Sequence, residues 1–151
     1  MANLTENTLY PWHSMKDTIE TLQFGSYLTT IGSYAFTTFS KVSEISFNRF
    51  VTTINENAFS YCSSLTTVII AGSLTFIGED AFTECDSLLS MTYRGTNNVI
   101  CEKNFISDLD FSVAVLNSFN GTTFCGYKTH ISYERTCSNE KNRFMRTMGC
   151  L

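Results

Sequence analysis

Six cysteines and two histidines are the residues of this chain best equipped for chemistry, because a thiolate can attack a carbonyl or bind a soft metal and an imidazole can carry a proton. The stretch "CGYKTHISYERTC" gathers three of them, Cys125, His130 and Cys137. Their spacing, C-x4-H-x6-C, matches no standard zinc arrangement, and the paired C-x2-C knuckle is missing. A Cys-His nucleophile needs a third group to orient the base, and the sequence offers no such group. His13 stands beside Trp12 and reads as structural. Glu79, Asp80 and Glu84 form an acidic cluster, but they lack the alternating oxygen ligands of a calcium loop and read as a solvated face. No phosphate-binding, dinucleotide-binding, serine-hydrolase or zincin motif occurs. The expectation is a chain without catalytic residues, cofactor or metal.

The remaining cysteines lead elsewhere. Cys62 and Cys85 stand 23 residues apart, and that interval recurs along the chain. Ile31, Ile54 and Ile77 superpose at it, as do Ala35, Ala58 and Ala81, and then Phe36, Phe59 and Phe82. Val42, Leu65 and Leu88 follow Ile19; Ile45, Val68 and Met91 follow Leu22; Phe47, Ile70 and Tyr93 follow Phe24. A fixed apolar period of this length indicates units stacked in a line, each burying its apolar face against its neighbours. Cys62 and Cys85 would then sit with Cα atoms about 5 Å apart, but their nearly parallel Cβ vectors disfavour a bond, so they read as small buried apolar residues.

Within a unit the period changes. In "SLTTVII" Val68 and Ile70 alternate as a strand requires, with Leu65 also inward. In "LTFIGEDAFTEC" Ile77, Ala81, Phe82 and Cys85 lie along one face of a helix of about two turns. Gly32, Asn55 and Gly78 each follow the repeated isoleucine and suggest a backbone demand for positive φ. The predicted fold is a right-handed β/α leucine-rich-repeat solenoid with a parallel sheet on one face, short helical segments on the other, and about four to five units of 23 residues. Residues 1–17 are expected to form an N-terminal cap in which Trp12 covers the first unit, residues 18–126 the solenoid with degenerate last units, and residues 127–151 a basic tail.

Composition agrees with a folded chain of this kind. At 43% apolar and 14% aromatic residues, 151 residues can build a core. Residues 1–126 carry five Lys and Arg against twelve Asp and Glu, whereas residues 127–151 carry five against two. An acidic body argues against nucleic-acid binding, which needs a clustered positive surface. No run approaches the roughly 18 apolar residues of a membrane span, and "MANLTENTLYPWHS" has no charged segment followed by an apolar one, so a secretory leader is not expected. The sequons at Asn3 and Asn120 carry no weight alone.

The pattern L-x-x-V-x-I followed by L-T-x-I-G-x-x-A-F-x-x-C resembles the BspA-like class of leucine-rich repeats, seen clearly in residues 18–39, 40–62 and 63–85. Phe39 replaces the cysteine of the first unit and Asn55 the glycine of the second. A fourth unit, 86–108, keeps Leu88, Met91, Tyr93, Ile100 and Phe105 but has Asn104 and Asp108 in place of alanine and cysteine. Phe111, Ala114 and Leu116 mark a fifth strand. The resemblance spans about residues 10–126 and implies a non-enzymatic protein-binding module acting in adhesion to host cells or extracellular matrix, with a cell-surface location. The alternatives are an intracellular adaptor or regulatory scaffold, favoured by free cysteines, and a self-assembling structural protein joined through a strand edge or the tail.

Strand alternation assigns the partner-binding face. The outward columns run Thr21, Glu44, Thr67, Ser90 and Val113; then Gln23, Ser46, Ile69, Thr92 and Val115; then Gly25, Asn48, Ala71, Arg94 and Asn117. This surface is mostly small and polar and has no Trp or Tyr anchor. In the tail, Asn139 is placed to cap a helix with Phe144, Met148 and Leu151 on one face, ready to dock on its own solenoid or on another copy. Cys150 is out of place for prenylation.

Overall fold

The computed structural model describes residues 10–95, 97–106, 112–115, 123–125 and 127–131, with the strands at 112–115 and 127–131 described by their backbone. In chain order the strands are β1 (Thr21–Gln23), β2 (Thr30–Ile31), β3 (Glu44–Ser46), β4 (Thr53–Ile54), β5 (Thr67–Ile70), β6 (Phe76–Ile77), β7 (Ser90–Tyr93), β8 (Ile100–Cys101), β9 (Ser112–Val115), β10 (Thr123–Phe124) and β11 (Tyr127–Ile131). They form two sheets, in the orders β1-β3-β5-β7-β9-β11-β10 and β2-β4-β6-β8. Neighbouring strands are parallel throughout, except for the antiparallel pair β10 and β11. Winding between two sheets in this way makes a β-solenoid.

The register follows the 23-residue spacing: Leu22 pairs with Ile45, Ile45 with Val68 and Val68 with Met91. All four are buried, and burial alternates along β5 and β7 as one core-facing side demands. Ile31, Ile54 and Ile77 stack in register in the second sheet and are fully buried. Within the core Phe36 and Phe59 stack with centroids 5.4 Å apart and planes 7° from parallel, and Phe59 and Phe82 at 5.3 Å and 10°. Phe24 and Phe47 stack likewise at 5.2 Å. A side chain that repeats in register meets its own kind, and Phe59 has a phenyl ring stacked on either side.

The face opposite the sheet corrects an expectation. No α-helix occurs among the described residues, and the segment that reads as helical in each unit is a run of turns. Tyr34, Asn57 and Asp80 take positive φ of 57°, 53° and 53°, and Thr38, Tyr61 and Glu84 take 63°, 61° and 54°. Two left-handed residues four apart interrupt any α-helix. The backbone groups so released bond between units: Phe36 N–H donates to Ala58 O, Phe59 N–H to Ala81 O and Phe82 N–H to Phe105 O, at 2.8, 2.8 and 2.7 Å. The positive φ lies two residues beyond the position expected. Gly78 serves a different need, since a Cβ there would come within 2.6 Å of the Glu56 backbone nitrogen.

The fourth unit departs from the period. Ile77 pairs with Cys101 and Phe82 bridges to Ile106, an interval of 24, whereas Ser90 pairs with Ser112, an interval of 22. One extra residue before β8 moves Cys101 into the column of Ile77 and leaves Ile100, expected inside, 65% exposed.

At the other end, the 3-10 helix Pro11–Met15 sets Trp12 against Phe36, 5.7 Å between centroids, with Tyr10 stacked behind it at 4.6 Å. The Trp12 indole N–H donates to Ala35 O at 2.9 Å. In later units the corresponding carbonyls, Ala58 O and Ala81 O, accept from the backbone of the preceding unit. Trp12 thus supplies both the ring and the donor that a preceding unit would supply. Trp12→Phe, which keeps a ring and loses the donor, is expected to lower stability by about 1 kcal/mol. Trp12→Ala should cost about 3 kcal/mol. Urea unfolding of the two variants checks the order.

Candidate protein-binding face

The long strands present the predicted columns in register. Thr21 aligns with Glu44, Glu44 with Thr67 and Thr67 with Ser90; Gln23 aligns with Ser46, Ser46 with Ile69 and Ile69 with Thr92. Thr21, Gln23 and Glu44 are exposed, and Ser46, Thr67, Ile69, Ser90 and Thr92 are half-buried by their cross-strand neighbours. The result is a surface of small hydroxyls with one carboxamide, one carboxylate and one apolar side chain.

Three predicted positions are placed otherwise. Val113 pairs with Met91 and Val115 with Tyr93, which are core columns, while Ser112 and Ala114 pair with the outward positions Ser90 and Thr92. The 22-residue interval is the cause, since a one-residue change of register exchanges the two faces of a strand. Asn48 stays in its column, but its side chain is committed inward: Nδ2 donates to Phe24 O at 3.1 Å and to Gly25 O at 2.6 Å, and Oδ1 accepts from Phe50 N–H at 2.7 Å. It fastens the loop after β3 to the loop after β1. Arg94 is exposed at the end of β7. Asn117, Asn139, Phe144, Met148 and Leu151 lie outside the described residues.

Residues at the C-terminal ends of the long strands were not legible as a site from strand alternation. Tyr27 is 100% exposed, Phe50 is 41% exposed, and the Arg49 guanidinium lies 5.0 Å from the Phe50 ring centre. Tyr27 and Phe50 are 23 residues apart, so the same superposition that finds the core would have paired them. They give the sheet face the aromatic and arginine border that its strands lack.

Among the described residues the cysteines are held by packing or by a covalent bond, while Cys137 and Cys150 lie outside them. Cys62 and Cys85 are fully buried free thiols that donate to Phe36 O and Phe59 O, both at 3.3 Å. The neighbouring Cys85 thiol, together with burial, holds the Cys62 thiol well above the usual range, so it stays protonated and non-nucleophilic. Cys101 and Cys125 form a disulfide, with Cα atoms 5.3 Å apart, which takes Cys125 out of any thiolate site. It pins β8 to the turn after β10, and Phe124 beside it packs on Tyr93 at 5.1 Å. Glu79 and Glu84 are exposed and Asp80 half-buried, on turns rather than on a helix. Among the described residues no group of three possible metal ligands converges, and no helix is long and apolar enough to cross a membrane.

A profile of the "BspA type Leucine rich repeat region" matches residues 13–126 in six copies. The chain belongs to the BspA-type leucine-rich repeat family. Its six copies compare with the four to five units read from the 23-residue spacing. Searches of curated proteins and of solved structures return no match. The disulfide lies in the last described units, where the period that aligns the core no longer holds.

Two measurements follow. Alkylation in denaturant without reductant should label Cys62 and Cys85 and leave Cys101 and Cys125 unlabelled by peptide mass spectrometry. Replacing both Cys101 and Cys125 by Ser should cost about 3 kcal/mol for a closed loop of this length. His13 supplies the second: its Nδ1 is buried without a hydrogen-bond partner, and burial, then Lys16, lowers its pKa, with Asp17 opposing. A histidine whose folded pKa is depressed contributes fully above its unfolded pKa of about 6.5, and that contribution is lost as pH falls from there through the lower folded pKa. Between pH 7.5 and 5 the melting temperature of the native chain should therefore fall more than that of His13→Phe.

Proposed function

We propose that this chain is a non-enzymatic protein-binding module that presents the outward columns of its long-strand sheet to a protein at the cell surface or in the extracellular matrix. The observation that carries the reading is the in-register surface of Thr21, Gln23, Glu44, Ser46, Thr67, Ile69, Ser90 and Thr92. A rigid, regular sheet of small side chains lets a partner approach closely over the roughly 800 Å² per side that specific interfaces use. Rigidity matters because little conformational freedom is lost on binding. The family's repeat scaffold supports a binding role over a catalytic one.

The disulfide supports the extracellular setting over the intracellular adaptor, because such bonds persist where the environment is oxidising. The test uses the middle column. Ser46, Ile69 and Thr92 are changed together to lysine, which adds three charges to one line across the sheet without touching the buried columns. Native chain and variant, matched by circular dichroism, are applied to immobilised extracellular-matrix proteins and to intact cells. Binding by the native chain that falls at least tenfold in the variant is the expected result; equal binding by both would remove the sheet face from the account.

A further inference from the structure

Charged and exposed apolar side chains flank the long strands at both ends. The loops at the C-terminal ends of β1, β3, β5 and β7 carry Arg49 and Arg94 and no carboxylate among the described residues, together with the exposed Tyr27 and Phe50. The corners at the N-terminal ends carry the exposed carboxylates Glu20 and Asp86, with Glu44 at the first position of β3, and the exposed Tyr61 and Leu89, at 55% and 69% exposure. Lys41 is a cation on this acidic side. Because the strands are parallel, like ends of successive units lie along the same rim.

From this we infer that the rim built of Tyr27, Arg49 and Phe50 docks on the acidic rim of a second copy of the same chain. The two surfaces complement each other in charge, and each brings exposed apolar side chains that association would cover. They lie at opposite ends of the strands, so the contact is heterologous: a copy that has used one rim still offers the other. Copies joined in this way lie side by side along the strand direction, which sets their sheet faces edge to edge and multiplies whatever the face binds. The inference goes beyond the sheet-face reading and does not use the sheet-face residues Ser46, Ile69 and Thr92.

The test is the mass of the full chain by sedimentation velocity between about 5 and 200 µM, in 50 mM and 500 mM NaCl, since exposed charge pairs weaken with salt. The native chain should gain mass with concentration at low salt and show at least tenfold weaker association at high salt. Arg49→Glu and, separately, Glu20→Arg with Asp86→Arg should each remain monomeric while keeping native circular dichroism, and an equimolar mixture of the two should associate again. The Ser46, Ile69 and Thr92 lysine variant should associate like the native chain, which separates failure here from failure of the sheet-face reading. A native chain that is monomeric throughout, a rim variant that associates as the native chain does, or a mixture that stays monomeric would overturn the inference. If Arg49→Glu perturbs the fold, Arg49→Gln takes its place, with weakened association expected and native-like association contradicting it.

Discussion

Each turn of this solenoid points backbone groups along the stacking axis, where only another turn can meet them. Tyr34, Phe36 and Thr38 donate to the carbonyls of Glu56, Ala58 and Ser60, and Asn57, Phe59 and Tyr61 donate in the same way to Glu79, Ala81 and Thr83. A buried peptide group without a partner costs about as much as a lost hydrogen bond, so one unit by itself leaves a set of unmet groups on each side. The stack is therefore the smallest stable object, and the other features serve its continuation or its ending.

Continuation is served by identity in register. Phe36, Phe59 and Phe82 stack because each ring lies one period from the next, and Cys62 and Cys85 reach carbonyls of the preceding unit because both occur at the same offset. Hydroxyls repeat the device, with Thr52 bonded to Thr29 O at 3.2 Å and Thr75 to Thr52 O at 3.0 Å. Ending is served by exceptions. At the start Trp12 imitates the ring and the donor of a missing unit, and at the far end a covalent bond between Cys101 and Cys125 holds segments whose spacing has drifted to 24 and 22 residues. The cross-link falls where the periodic packing is least able to secure the chain.

The period and the inward columns of the long strands were legible in the sequence because burial acts on single positions and the positions recur. What escaped reading depends on the backbone. Ile77, Ala81, Phe82 and Cys85 have the spacing of a helical face, and turns with left-handed residues at Asp80 and Glu84 bury the same four. Side-chain pattern reports which residues go inside and is silent on how the chain carries them there. Tyr, Thr and Glu are unfavourable in the left-handed region, so residue preference gave no warning; bonds to the neighbouring unit hold Tyr34, Thr38 and Tyr61 there. The outward assignment of Val113 and Val115 extended a strict 23-residue period across a unit that is one residue shorter, and one residue is enough to exchange faces. On the outward face of the long-strand sheet, Thr21 through Thr92 fall in the expected columns, whereas the Tyr27 and Phe50 rim lay in loops that alternation does not address.

The central claim is that alternate amides of each turn run, those of Tyr34, Phe36 and Thr38 and of Asn57, Phe59 and Tyr61, bond to the next unit and not to the carbonyl four residues earlier. Scalar couplings transmitted through hydrogen bonds, measured by NMR on isotope-labelled protein, identify the carbonyl that each amide meets. The account predicts a coupling from Phe59 N to the Ala81 carbonyl carbon, and from Phe36 N to that of Ala58. A coupling from Phe59 N to the carbonyl four residues earlier, at Asn55, would restore the helix and contradict the account.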